Sequence, residues 1–357
     1  MFDFFWVPGI VALFTAVAVR MLRPLAFRGE LLDRPGGRKR HSGAVPLVGG
    51  IAITFAVWAG SFAFVRVADY HLALLAGVTM LAVVGVIDDM RGMSPLAKLC
   101  AQLFAAILMT SWGGVFLTSL GDVLGKREIE LTNWGIPLTL FAVVTVVNAT
   151  NMMDGLDGLA GGLALTVFGW LTYLSGDVGN TTAQRYCVIF VGALVGFLVF
   201  NLPNPLRGRN RVFLGDAGSL MLGFAIVWFT VELSQPPYNY GRHVPPVVML
   251  WLLGVLLIDL LAVTVRRAMA GRNPLSADRT HLHHILVRLD LPPVIVVWCI
   301  LLINAGFGAI GVIAWKSGVP EYLMFLAFLM VAAAHLAIMQ SAPRFVRRAR
   351  RVLSRRR

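Results

Sequence analysis

Asn148-Ala-Thr-Asn-Met-Met-Asp-Gly-Leu-Asp-Gly158 sets two carboxamides and two carboxylates at the end of an apolar run that is long enough to lie in a membrane. Continued as a helix, Asn148, Asn151 and Asp154 recur every three residues and share one face within reach of one ligand. Packing does not ask for them. An Asp at mid-bilayer costs about 2.5–3.5 kcal/mol on insertion scales, so acids near membrane depth usually face a cavity in which they are used. The plain alternative is a solvated helix end followed by a Gly-rich turn.

Outward from that stretch the chain is too apolar for water. With 58% apolar and 14% charged residues, the 357-residue sequence is no soluble globule, in which about a quarter of residues are charged. Mean hydropathy is +0.77. About eleven runs reach spanning length, near 4–24, 45–66, 70–88, 96–118, 135–153, 158–176, 185–203, 213–233, 245–266, 292–315 and 320–340. The expected fold is therefore an all-α polytopic integral membrane protein, one domain over 1–340, with a basic tail over 341–357. The first run follows Asp3 and no Lys or Arg, so it is expected as a retained helix and not a signal peptide.

Charge orients the stack. With the N-terminus outside, the loops that fall on the inner side, together with the tail, hold 25 of the 31 Lys and Arg. The positive-inside rule then gives a periplasmic N-terminus and a cytoplasmic C-terminus. The net charge of +13 marks that inner face, where it attracts anionic lipids and phosphate-bearing substrates; nucleic acid is not an expected partner. Cys100, Cys187 and Cys299 stand singly in apolar runs, without metal or redox spacing.

The remaining polar groups gather in the same inner loops. Asp33, Lys39 and His41 lie in the first, before Gly49-Gly50; the basic cluster suits an anion, although positive-inside bias alone also explains it. Asp88-Asp89 ends the third run, and Pro95, Lys98 and Gln102 open the fourth. Adjacent carboxylates at a membrane surface suggest Mg²⁺ or Mn²⁺ held through oxygens and water. Asn201 ends the seventh run, and Phe213-Leu-Gly-Asp216-Ala-Gly-Ser219 opens the eighth, where Asp216 is either a helix cap or a third acid for a magnesium diphosphate site. Asp259, deeper in the ninth run, is expected to meet a buried partner. Arg266, Arg279, His281, His283 and His284 follow; they lack the second half of a zinc site and suit phosphate oxygens better. Gly306-Phe-Gly-Ala-Ile-Gly311 matches a dinucleotide pattern but lies inside an apolar run, and no P-loop is present.

Taken together and in this order, these motifs resemble the bacterial polyprenyl-phosphate N-acetylhexosamine-1-phosphate transferases from about Asp33 to His284. The matching segments are Asp33-x-Pro35 with Arg38-Lys39-x-His41 and Pro46-x-x-Gly-Gly50, Asp88-Asp89 with Pro95-x-x-Lys98-x-x-x-Gln102, Asn148 to Gly158, Phe213 to Ser219, and His281-x-His-His284. The resemblance implies transfer of a sugar-1-phosphate from a UDP-N-acetylhexosamine to undecaprenyl phosphate at the cytoplasmic leaflet, with release of UMP and a need for Mg²⁺ or Mn²⁺. Within the family the wording is most similar to the branch that transfers GlcNAc-1-phosphate and begins O-antigen and related glycans. The phospho-MurNAc-pentapeptide branch typically has three uninterrupted histidines and a different glycine loop, whereas here Leu282 intervenes and the loop reads Val45-Pro-Leu-Val-Gly-Gly50. FucNAc and QuiNAc donors stay open, as does the oligomeric state, with a homodimer compatible.

By the same resemblance Asp216 is a magnesium ligand, completed by Asp88 and Asp89, and Lys98, Asn151 and Asp154 line the same cavity. Phe213 stacks on uracil and Asp157 meets its polar edge, while the histidines with Arg266 or Arg279 hold phosphate and sugar. A cation-coupled transporter is the competing class, but transporters gather coupling groups near the midplane, whereas these motifs fall at the inner ends of runs. A catalytically silent scaffold is the third reading.

Overall fold

The computed structural model describes residues 5–34, 43–203, 210–235, 243–269, 271 and 281–354, with side chains to residue 341. Nine of the described helices are long and apolar enough to cross a membrane. All backbone polar groups of such a helix are satisfied within it, which is why helices are what an apolar run of this length forms in lipid. The chain is an all-α, multi-pass membrane protein. Its described residues fall into two compact units, one of 1–119 with 130–246 and the other of 120–129 with 247–357.

The first unit holds α1 (Val7–Arg28), a two-residue pair of strands β1 (Leu32–Asp33) and β2 (Val45–Pro46), α2 (Gly49–Phe64), α3 (Asp69–Arg91), α4 (Pro95–Ile107), α5 (Gly135–Met152), α6 (Leu159–Asp177), α7 (Thr181–Asn201) and α8 (Gly215–Ser234). β1 and β2 are antiparallel, with Leu32 opposite Pro46 and Asp33 opposite Val45. α8 is the post at the centre. It packs against α2, α3, α5 and α6, and nearly every one of its residues is buried. That suits a helix apolar on all sides. Its Phe229 meets Phe168 and Phe190 edge-on, and those two are stacked on each other with ring centroids 4.5 Å apart. The outward faces keep Leu13, Phe14, Phe55, Phe62 and Phe141 exposed, which suits lipid in place of water.

Glycine lets α8 approach its neighbours this closely. A Cβ on Gly50 would sit 2.5 Å from Gly218 Cα and 2.6 Å from the Ala217 carbonyl carbon. One on Gly85 would collide with the Ala217 backbone. The short α2 and the crossing α3 therefore both bear on the first turn of α8.

The second unit holds α9 (Pro246–Leu252), α10 (Gly254–Met269), α11 (Leu282–Arg288), α12 (Pro293–Lys316) and α13 (Glu321–Ser354). The run expected as one span over 245–266 is broken: α9 and α10 meet at 78°. Gly254 marks the break, where a Cβ would sit 2.8 Å from the Phe307 ring. Trp251 packs on Phe307 and Phe328 and donates to the Met324 carbonyl at 3.2 Å. Ala262, Ile285 and Met339 form a small core between α10, α11 and α13. Helix α13 continues through the expected tail as far as Ser354.

Candidate active site

The two adjacent acids at the end of α3 are sent to different partners. The helix stops at Gly92, whose φ of +70° no side-chain-bearing residue adopts readily, and Asp88 Oδ1 accepts the Met93 N–H at 2.6 Å. Its other oxygen meets the Lys98 ammonium. Ser94 caps α4 by accepting the Ala97 N–H, and Pro95 takes the first turn, so Lys98 projects one turn into the helix. From there it also reaches Asp216 Oδ2 at 3.2 Å. Asp89 instead accepts the Asp216 N–H at 3.0 Å and the Ala217 N–H at 3.4 Å, a carboxylate on the positive end of α8. Gly215, at φ +74°, makes that turn, and a Cβ there would lie 2.5 Å from Asp89 Oδ2.

α5 closes the ring of partners. Asn151 Nδ2 donates to Asp216 Oδ1 at 2.8 Å and to Ser219 Oγ at 2.9 Å. Asn148, expected on the same ligand-facing side, donates instead to Gln102 Oε1 at 2.7 Å and to the Val144 carbonyl. It joins α5 to α4. The helix ends at Met152, so Asp154 lies on the turn beyond it and not on a shared helical face. Its carboxylate accepts no hydrogen bond among the described residues. Burial first, then the charges of Asp216, Asp89 and Asp157, push its pKa well above the usual carboxylate range.

Asn201 is buried, accepts the Gly158 N–H at 2.6 Å and donates to the Val212 carbonyl at 2.9 Å. It is a bracket between α6, α7 and the segment before α8, not the ligand contact expected for it. That segment is stitched to the hairpin: Phe213 N donates to Pro46 O at 2.9 Å, and Gly49 N and Gly50 N donate to Phe213 O and Leu214 O at 3.0 and 2.9 Å. Asp33 stands beside this stitch, on β1. Phe213 and Asp157 are both engaged by Arg211, whose Cζ lies 4.7 Å from the ring centroid and whose terminal nitrogen is 2.8 Å from the carboxylate.

The histidine motif belongs to the second unit. His281 Nδ1 lies 2.7 Å from Asp259 Oδ2, Asp259 Oδ1 accepts the Leu282 N–H at 2.8 Å, and His335 Nε2 is 3.8 Å from that oxygen. This is the buried partner expected for Asp259. His283 departs from expectation: it is fully buried, neither ring nitrogen has a hydrogen-bond partner among the described residues, and burial takes its pKa down to about 3. As placed it is neutral and not a cationic phosphate donor. The His284 ring lies against it, tilted by 45° with centroids 4.1 Å apart, and Arg266 lies in the last turn of α10. Lys39, His41 and Arg279 lie outside the described residues. The sequence reading missed Arg211 and His335. Neither carries a local signal, one being an Arg in a basic loop and the other a lone His in an apolar helix.

The glycosyl transferase family 4 model matches residues 71–234, which contain the whole acid cluster of the first unit. The undecaprenyl-phosphate alpha-N-acetylglucosaminyl 1-phosphate transferase of Escherichia coli O157:H7 is 34% identical over 355 residues, 97% of this chain and 95% of that protein. The chain belongs to glycosyl transferase family 4. Proteins of the same name from Yersinia pestis and Haemophilus influenzae are 33% and 32% identical, covering 97% and 93% of this chain and 94% and 93% of their own length.

In this family 4 chain the donors fit a divalent cation held jointly with substrate. Asp88 and Asp216 share Lys98, and Asp154, which feels the charges of Asp216 and Asp89, accepts no hydrogen bond among the described residues. Among the described residues no three His, Cys, Asp or Glu converge as a finished cage. Mg²⁺ seldom uses such a cage; it binds through one or two carboxylates, water and substrate phosphates. Asp89, committed to the α8 amides, is placed as a support for Asp216 and not as the direct ligand expected of it.

Proposed function

We propose that this protein transfers N-acetylhexosamine-1-phosphate, in the first instance GlcNAc-1-phosphate, from a UDP-sugar to undecaprenyl phosphate, forming undecaprenyl-diphosphate-sugar and UMP. The observation that carries this reading is the meeting of the ends of α3, α4, α5 and α8 on Asp216, through Asp89, Lys98 and Asn151. The named relatives, similar along nearly the whole chain, support the same reaction. Beside nine long apolar helices, the bent pair α9–α10 and the shorter α2 are counted as the remaining two of eleven spans, and the positive-inside pattern supports a periplasmic N-terminus and an active site on the cytoplasmic side of the inner membrane. The pathway is the first membrane step of O-antigen or related lipopolysaccharide synthesis.

Asp216 with Asp88 or Asp154 would hold Mg²⁺ or Mn²⁺. When bound, the cation supplies neutralisation of the diphosphate and of the charge that develops on the departing UMP oxygen. Lys98 adds a fixed positive charge beside those acids, and Asn151 holds the Asp216 carboxylate in one orientation. A phosphate monoester has its second pKa at about 6, so the lipid acceptor is already mostly a dianion at pH 7. Its oxygen attacks the β-phosphorus directly, a new P–O bond forms, and the bond from that phosphorus to the UMP oxygen breaks. Asp88 orients Lys98 and is not required as a base. Phe213 and Asp157 take the base, and Asp33, Lys39, His41, Arg266, Arg279, His281 and His284 serve the phosphates and sugar. In this reading Asp259 and His335 fix the His281 ring.

Purified protein given UDP-GlcNAc, undecaprenyl phosphate and Mg²⁺ should release UMP, and a panel of UDP-N-acetylhexosamines, including FucNAc, QuiNAc and MurNAc-pentapeptide donors, ranks the sugar. Ion-driven solute uptake with no UMP release from any donor would replace the transferase with a transporter. Capture of a covalent UMP adduct on an aspartate would replace direct attack with double displacement.

A further inference from the structure

Arg211 is the one described cation that engages both groups read above as the base subsite. Its guanidinium lies over the Phe213 ring at 4.7 Å and its terminal nitrogen holds both Asp157 oxygens at 2.8 Å. A pyrimidine base with a ring N–H would ask for the same two things, an aromatic face to stack on and a carboxylate to accept its proton donor. A guanidinium is planar, delocalised and rich in N–H donors, so it satisfies both partners as a base would. The geometry points to Arg211 as a displaceable cover on the nucleobase subsite, one that the incoming base must push off Phe213 and Asp157. This rests on the reading of Phe213 and Asp157 as that subsite.

Two details favour displacement of the side chain over movement of the chain. The backbone around it is pinned: Val212 O accepts from Asn201, Phe213 N and O are tied to Pro46 and Gly49, and Leu214 O accepts from Gly50. The guanidinium itself is held incompletely. Its Nε is buried and has no acceptor among the described residues, so leaving breaks only the Asp157 contact and the ring contact. The Arg211 side chain is 28% exposed, which gives it a way out without opening the core.

Uridine is the probe, because it carries no phosphate and is indifferent to the loss of a cation elsewhere in the site. It is titrated calorimetrically into the full-length protein in lipid nanodiscs, as wild type, Arg211→Ala, Arg211→Lys and Phe213→Ala. Removing a half-buried cation–π contact and ion pair that compete with the base should tighten uridine binding about three- to thirtyfold in Arg211→Ala. Arg211→Lys keeps the charge on Asp157 but not the planar cover, and should fall between. If Arg211→Ala melts below the assay temperature, Arg211→Gln is read in its place. Unchanged or weaker uridine binding in a folded Arg211→Ala protein would overturn the proposal, because the guanidinium would then be a bystander or a clamp. Uridine binding unaffected by Phe213→Ala would instead overturn the subsite reading beneath it.

Discussion

Gly50→Ala tests whether the acid cluster depends on the contact between α2 and α8. The new Cβ would sit 2.5 Å from Gly218 Cα and 2.6 Å from the Ala217 carbonyl carbon, where ordinary contact begins at 3.4 Å. Both obstacles are backbone, so no side chain can swing aside, and the two helices must part by about 1 Å. That separation stretches the bonds from Gly50 N to Leu214 O and from Gly49 N to Phe213 O, now 2.9 and 3.0 Å. Overpacking costs about 1–3 kcal/mol and each of the two weakened hydrogen bonds about 1 kcal/mol, so a loss of roughly 3–5 kcal/mol in stability is expected. The effect on rate should be larger in proportion, because a misplacement of about 1 Å costs about a hundredfold in a site that works by positioning. The assay is UMP release in nanodiscs beside a thermal melt, with Gly9→Ala, where the added Cβ meets nothing within 4 Å, as the control. A Gly50→Ala protein that turns over at the wild-type rate would refute the argument that α2 fixes the first turn of α8.

Lys98→Met leaves the Asp88 and Asp216 carboxylates facing each other without their bridge; UMP release should fall at least a hundredfold, and near-normal kcat would rule out Lys98 as the fixed charge of the site. Asp259→Asn removes the charge and one of the two oxygens that hold His281 and the Leu282 N–H, and loss of such a support typically costs about 10- to 100-fold, read as kcat against KM for UDP-GlcNAc; an unchanged rate would make Asp259 a packing residue only. Asp154 binds its proton more tightly in the folded chain than in the unfolded one, so without divalent cation its contribution to stability falls as pH rises from the ordinary carboxylate range towards its raised native value. Asp154→Asn should flatten that part of the profile and raise the melting temperature at neutral pH; a lower melting temperature there would show that the carboxylate is not under repulsion. Millimolar Mg²⁺ should raise the melting temperature of wild type more than that of Asp216→Asn, and equal shifts would move the cation away from Asp216.

Much of this was legible in the residues, and what was hidden is instructive. Apolar runs announced the helices because burying every backbone group leaves no other structure for a segment of that length. The pairing of Asp88-Asp89 announced a charged site, but adjacency does not say which carboxylate goes to a lysine and which to a helix end. That was decided by α8 arriving with Gly215 in a left-handed turn. The three-residue spacing of Asn148, Asn151 and Asp154 promised a common face, yet the chain leaves the helix after Met152, ahead of Gly155 and Gly158, and the two amides find different neighbours while Asp154 accepts no hydrogen bond among the described residues. The break before Gly254 was invisible, since Leu252 and Leu253 on one side and Val255 on the other read as unbroken hydrophobicity. Arg211 and His335 acquire meaning from residues distant in the chain, Asp157 for one and Asp259 for the other.

The burial of α8 has a consequence for how such an enzyme can be altered. Asp216 takes its position from a rod clamped along its whole length by aromatic and glycine contacts, so its aim is inherited from the interior of the first unit and not from any loop. Loops that meet the donor can therefore be rewritten to accept another sugar while the Asp216 carboxylate keeps its bearing. A single methyl group placed against the first turn of that rod, on a residue that makes no contact with the reacting groups, is enough to spoil it.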